Sequence, residues 1–516
     1  MSNFLNEQTV MQYYVEQIDK NSIVFLQGRD ELKADIRRLV VELMGADTMN
    51  GKIGVAVDLW KKLFEASMSY ISPDKRGYDK IFSYFDAYVE FEELIFASDS
   101  FYRDHTLHCI WVYFLGEYVA REPQFEPLFY DSQEQELIVS MLHEIIPDNR
   151  QFKRVARLIA ETTKMQEASR CVAALTHDLG YPLKKIEKIN KSIKKVLPYF
   201  AVNSFDDFDF EYGNVQQGFI DNFIDLISRT FAVNINMINA DKRSDEEIEK
   251  YDECIGKAFK ISEKNGALEK KTVEKVKDIL TDEEIKYIAS NTNVELWFMK
   301  TYAKENAYLN DFENYQHGIM SAFLLMKNLN AFQNYNYRSK SDTLDTSTGA
   351  KPEVLLAMAD ILGSITDHTS DALKISSIAD SNYLTLIDEL EEFSRISRAS
   401  QNREYVKEFC ESSIEMKEGW LDIQFVFNNT NLDNLKPELS FKGRCKRFLS
   451  LFDVPNMSEN LKIRVTVIGE LPTDQNTYVL ELARKYADIS INGESKDIPK
   501  YLKSTQYYTK EEYARM

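Results

Sequence analysis

A mainly α-helical fold is predicted by three features of the sequence. Apolar residues recur at three- and four-residue spacing over most of the chain. Strand-like alternation is confined to the C-terminal part. The glycine motifs of phosphate-binding βα units, GxxxxGK and GxGxxG after a strand, do not occur, nor do GxSxG and HExxH.

The first unit, residues 1–98, reads as a helical domain. DELKADIRRLVVELM and KIGVAVDLWKKLFEASMSYI both carry apolar residues every third or fourth position. A core unit, 99–400, continues with helices in DHTLHCIWVYFLGEYVA, in EQELIVSMLHEII and from Phe152 to Thr176. Pro182 opens the next helix, PLKKIEKINKSIKKVL, because proline suits a first helical turn. Residues from about 203 to 311 are more charged and read as a helical insertion. The stretch 330–351, rich in Asn, Ser, Thr and Asp, reads as a flexible loop. In 401–516, WLDIQFVFN and LKIRVTVIG alternate by twos, which predicts a small α+β appendage, and YYTKEEYARM reads as a frayed tail.

At ~100–200 residues per domain, 516 residues allow two to four such units. Sixty-three basic against 83 acidic side chains give a net charge of −20, so extended nucleic-acid binding is not expected. The longest apolar stretch, CIWVYFLGEYVA, is shorter than the ~20 residues that span a bilayer, so no membrane segment is expected. MSNFLNEQTV lacks the basic and apolar regions of a secretory leader. Five scattered cysteines (Cys109, Cys171, Cys254, Cys410, Cys445), never spaced as CxxC, predict neither a disulfide framework nor a thiolate zinc site. They fit a reducing cytoplasm.

Six histidines carry the chemistry. His105 and His108 lie in RDHTLHCIWV, His177 in LTHDLGYP, His317 in ENYQHGIMSA and His368 in SITDHTS. His143, in SMLHEII, has no companion motif and reads as a core residue. The other five are flanked by apolar helical sequence, which would direct their rings to a common interior. Imidazole and carboxylate suit Fe, Mn, Ni or Zn in a helical bundle. Neighbours on a helix diverge by about 100°. His177 and Asp178 therefore serve one ion only if it lies between helices, or if Asp178 bridges two.

His108 with Val112 four positions on, the doublet His177-Asp178, and a late aspartate in NYLTLIDELEEFSR together resemble the HD-domain metal-dependent phosphohydrolases over about residues 101–395. The resemblance implies an HD-type helical core and hydrolysis of a nucleotide or other small phosphate ester by metal-activated water. It implies one or two divalent transition metals, with Mg as a further option. His108, His177, Asp178 and Asp388 would hold the first ion. His317 and His368, with Asp178 bridging, would hold the second. Asp360 in LLAMADILG competes with Asp388 as the last ligand. Arg103 and His105 would either support the ligands from behind or face the substrate, able to pair with phosphate or protonate a leaving oxygen. After the doublet, HDLGYP lacks the acidic pair of the superfamily's alarmone hydrolases.

Residues Pro182–Phe200 contain six lysines and one acid, and Lys184 and Lys185 open this helix within a turn of the doublet, where they could contact substrate phosphate. An HD-type single-strand nuclease and a non-catalytic nucleotide-binding scaffold are the alternatives. A homo-oligomer is left open.

Overall fold

The computed structural model describes residues 5–96, 101–132, 143, 149–200, 206, 214–265, 279–333, 351–370, 373–391, 395–397, 410–430 and 435–503. It is mainly helical with a C-terminal α+β appendage, as the periodicities predict.

Four N-terminal helices, α1 (Glu7–Asp19), α2 (Asp30–Gly45), α3 (Met49–Ile71) and α4 (Tyr78–Phe96), precede a short strand β1 (Phe101–Arg103). The first and third start at side-chain caps, Asn6 on the amide of Thr9 and Thr48 on that of Gly51. The site-bearing helices follow: α5 (His105–Arg121), α6 (Arg150–Thr176) and α7 (Tyr181–Val196). Helix α5 is buried on nearly all sides, so it has no polar face to read from sequence.

The stretch expected to be a helical insertion is not all helical. Between α8 (Asn214–Ile227) and α11 (Tyr302–Glu313) it holds two nine-residue strands, β2 (Arg229–Met237) and β3 (Thr292–Lys300), flanking α9 (Asp245–Asn265) and α10 (Asp282–Asn291). The strands pair antiparallel, with Val233 opposite Leu296. Helix α12 (His317–Asn328) then leads to a four-residue helix α13 (Asn330–Gln333), where a loop was expected. Residues 334–350 of that expected loop lie outside the described residues. Helices α14 (Pro352–Asp367) and α15 (Asp380–Leu390) complete the core, and β4 (Arg395–Ser397) pairs antiparallel with β1. That pairing ties the chain just before α5 to the chain just after α15.

The appendage is a six-stranded sheet in the order β10-β9-β8-β7-β6-β5. Its strands are β5 (Glu411–Lys417), β6 (Trp420–Phe427), β7 (Ile463–Gly469), β8 (Thr477–Ala483), β9 (Tyr486–Ile491) and β10 (Glu494–Lys496). Only β6 and β7 are parallel, and α16 (Pro437–Leu451) supplies the crossover that a parallel pair needs. A last helix, α17 (Ile498–Lys503), precedes the expected tail, which lies outside the described residues. The sheet is docked on the helices through backbone bonds from Leu5 to Ser412 (2.7 Å) and from Ser458 to Ser376 (2.8 Å). One hydrophobic cluster runs from Leu5 to Leu502. Within it, Trp60 of α3 stacks between Phe64 and Phe85 and donates its indole N–H to the Leu175 carbonyl, two residues before His177.

Candidate metal centre

The imidazoles sit at helix ends more than along helices. His105 and His317 are the first residues of α5 and α12, and His177 and His368 are the C-terminal caps of α6 and α14. Only His108 and Asp388 lie within a helix. The cap positions have a physical consequence. The last carbonyls of a helix have no partner within it. In both caps the Nδ1–H is donated to the carbonyl three residues back, Ala174 for His177 (2.8 Å) and Ile365 for His368 (2.5 Å). Each ring is thereby fixed in the tautomer that leaves Nε2 with an exposed lone pair.

His108 is oriented the same way by a side chain. Its Nδ1 lies 2.6 Å from Oε2 of Glu391, the residue that ends α15 and is fully buried. The Nε2 atoms of His108 and His177 then face each other at 3.2 Å. Two lone pairs so placed repel unless a cation lies between them. Metal–imidazole bonds of about 2.1 Å place adjacent nitrogens about 3.0–3.4 Å apart, which brackets the observed distance. Asp388 Oδ1 is 2.9 Å from the His108 Nε2 and 3.9 Å from that of His177.

Asp178 divides its oxygens between two groups. Its Oδ2 faces His177 Nε2 (3.4 Å) and His108 Nε2 (3.7 Å). Its Oδ1 faces His317 Nε2 (3.3 Å) and His368 Nε2 (3.7 Å). The last distance exceeds a hydrogen bond, and His368 Nε2 is buried without a hydrogen-bond partner among the described residues. Such an orphaned lone pair in a core is costly unless a cation receives it. His108, His177 and Asp388 form one set, and His177, Asp178 and His368 another, with the ligand atoms of each set within 4.8 Å of one another. These groups could hold a metal ion.

Two glycines make the convergence sterically feasible. A Cβ on Gly180 would stand 2.3 Å from the His317 carbonyl oxygen, and one on Gly318 would stand 2.5 Å from that of Ile365. Any side chain at either position would push α12 away from the turn after α6 or from the end of α14. The turn itself is pinned by Ser321, whose hydroxyl accepts from the Gly180 amide and donates to the His177 carbonyl, both at 2.6 Å. Tyr84 donates to the Leu179 carbonyl at 2.5 Å.

Burial, partly offset by Asp178, lowers the His177 imidazole to about 3. Desolvation also lowers His317. Burial opposes ionisation of Asp178, yet the surrounding His177, His317 and His368 hold its carboxyl well below the usual range. His177 and His317 are therefore neutral and Asp178 ionised near neutral pH, the forms that ligate metals. Acidification should expose this. Between pH 6.5 and 3 the unfolded chain protonates His177 while the folded ion-free chain does not, so stability falls as pH falls. Glu167, pushed up to about 7 by burial and by Glu117, acts in the opposite direction, so the test is differential. With chelator present, the wild type should lose about 1.4 kcal/mol more per pH unit than His177→Gln between pH 6 and 4. Urea unfolding across that range measures it, and equal slopes would exclude a neutral buried His177.

Two candidate ligating side chains are partly exposed, Asp388 at 16% and His317 at 22%, whereas His108, His177 and His368 are 0%, 0% and 1% exposed. The Tyr181 ring packs 4.2 Å from that of His105 and 5.2 Å from that of His317. Lys185 Nζ sits over the Tyr181 ring at 4.4 Å.

Not every predicted residue is brought to the centre. Lys184 bonds the Asn314 carbonyl (3.3 Å). Asp360 belongs to neither ligand set and lines a separate cleft. His143, expected to be a core residue and not a ligand, belongs to neither set. Arg103 pairs by its backbone with Arg395, and its side chain lies outside the described ones. His105 is buried beside the ligand sets but not in them. The sequence reading missed Glu391 and Glu92. Glu391 stands three residues after Asp388 on the same helix face, a spacing that could have revealed it. Glu92 gives no sequence signal. It lies 2.5 Å from His105 Nδ1 and accepts the amides of His105 and Thr106 (3.1 and 3.2 Å), a carboxylate at the N-terminus of α5.

Compared with protein-family models, with curated proteins and with solved structures, the chain matches none.

Proposed function

We infer that the chain is a metal-dependent phosphohydrolase of the HD type, acting on a nucleotide or another small phosphate ester. The observation that carries this reading is the head-to-head pair His108 and His177, with Asp388 beside it and both Nδ1 atoms already engaged. His108, His177 and Asp388 would hold one divalent ion. Asp178, His317 and His368 would hold a second, with Asp178 shared. The mixed imidazole and carboxylate set favours Fe, Mn, Ni or Zn over Mg. A divalent ion bound there lowers the pKa of water toward neutrality and polarises a phosphoryl oxygen.

The remaining tasks fall to the chain itself. Glu391 and the Ala174 carbonyl hold His108 and His177 in the ligating orientation. Lys185, held over Tyr181, supplies a cation for substrate phosphate. His105, oriented by Glu92, would protonate a leaving oxygen. Among the described residues no helix is long and apolar enough to cross a membrane. All five cysteines are free thiols, in keeping with a cytoplasmic location.

Elemental analysis of the purified protein, followed by a phosphate-release screen over nucleoside triphosphates, cyclic nucleotides and oligonucleotides, tests the reading. One or two transition-metal ions per chain are expected. Phosphate release should stop in chelator and return with Mn or Zn. A protein that retains no ion and takes none up on titration would refute it.

A further inference from the structure

The helices that carry the ligands also enclose a cleft that none of the ligating side chains lines. Val112 and Gly116 of α5, Ser169 and Ala173 of α6, Ser364 of α14 and Ile387 of α15 form its walls. Its empty space, the open mouth included, is about 520 Å³. Gly116, Ser169, Ala173 and Ser364 are the small residues of a wall that also includes Tyr113, Gln166 and Tyr383.

Small residues alone would indicate loose packing. Ser169 indicates a ligand. It is only 8% exposed, and its Oγ is buried with no hydrogen-bond partner among the described residues. Hydroxyls elsewhere on α6 close onto the carbonyl four residues back, as Thr162 (2.9 Å), Thr163 (2.9 Å) and Thr176 (2.7 Å) do. Ser169, a residue of the cleft wall, does not.

Of the charged groups on the wall, Glu117 and Arg170 compensate each other, and the wall also carries the carboxylate of Asp360. Arg170 bonds Glu117 at 3.0 Å, and the same carboxylate accepts from Arg121 at 2.8 Å. The walls therefore offer no free guanidinium for a phosphate, and their accessible surface is predominantly apolar, with Ile361, Leu384 and Ile387 contributing to it. We propose that this cleft binds a small neutral ring compound, its apolar body between α5, α14 and α15 and its single polar group paired with Ser169 Oγ. The site is separate from the metal centre and does not rest on the phosphohydrolase reading.

Calorimetric titration of the full chain with indole, phenol and benzene tests it. All three should bind the wild type. Ser169→Ala keeps the space but removes the hydroxyl, so indole and phenol should weaken about fivefold while benzene is unchanged. Ala173→Leu fills the space and should abolish binding of all three, with a thermal melt confirming that the variant folds. Should Ala173→Leu not fold, the Ser169→Ala comparison decides alone. Unchanged indole affinity in Ser169→Ala, binding that survives in folded Ala173→Leu, or no binding of any probe to the wild type would overturn the proposal.

Discussion

Asp178→Asn is expected to lower phosphate release at least about 10³-fold and to remove an ion from each chain, because one carboxylate serves both ligand sets. Its Oδ2 faces His108 and His177, and its Oδ1 faces His317 and His368. Asparagine preserves the shape but not the charge. It also turns an amide donor toward lone pairs that the two cap carbonyls and Glu391 have directed inward. His177→Ala should act similarly, since His177 belongs to both sets. Elemental analysis and steady-state phosphate release measure the two effects, and circular dichroism checks folding. If both variants kept wild-type ion content, the metal centre would have to be abandoned.

Glu391→Ala is the second large effect, and it concerns a residue that touches no candidate ion site directly. The Glu391 side chain is 0% exposed and holds His108 Nδ1 at 2.6 Å. Without it, the His108 ring loses the acceptor that fixes its tautomer, and a buried N–H loses its partner. Removal of such a supporting carboxylate typically costs ~10–100-fold in metal affinity. The unsatisfied donor should also cost ~1–3 kcal/mol in stability. Glu391→Gln, whose amide oxygen can still accept, should recover part of both. Competition titration against a chromophoric chelator reads the affinity and urea unfolding the stability. Glu389→Gln is the control, because that carboxylate pairs with Arg447 instead. Equal metal affinity in Glu391→Ala and Glu389→Gln would show that Glu391 does not support the centre.

Much of the fold was legible because its signals are local. The three- and four-residue apolar spacing gave the helices, and alternation in WLDIQFVFN and LKIRVTVIG gave β6 and β7. Pro182 marked the start of α7 to within one residue. The β2–β3 pair was missed although RTFAVNINM alternates as a strand should. Its partner lies more than fifty residues away across charged helical sequence, so nothing local announces the pairing.

The sequence by itself determined which side chains were available: few histidines, each in a distinct apolar context, one of them followed by Asp178. It could not determine that four of them stand at helix ends. Nor could it tell that Nδ1 of His177 and His368 would be engaged by their own helices, or that Glu391 and Glu92 would orient His108 and His105. Those outcomes depend on helix termini, where chain direction and unsatisfied carbonyls are set by packing rather than by residue spacing. They also depend on approaches as close as those of Gly180 and Gly318 to neighbouring backbone. Residue type fixed the chemistry that could be done, and tertiary packing fixed where the lone pairs point.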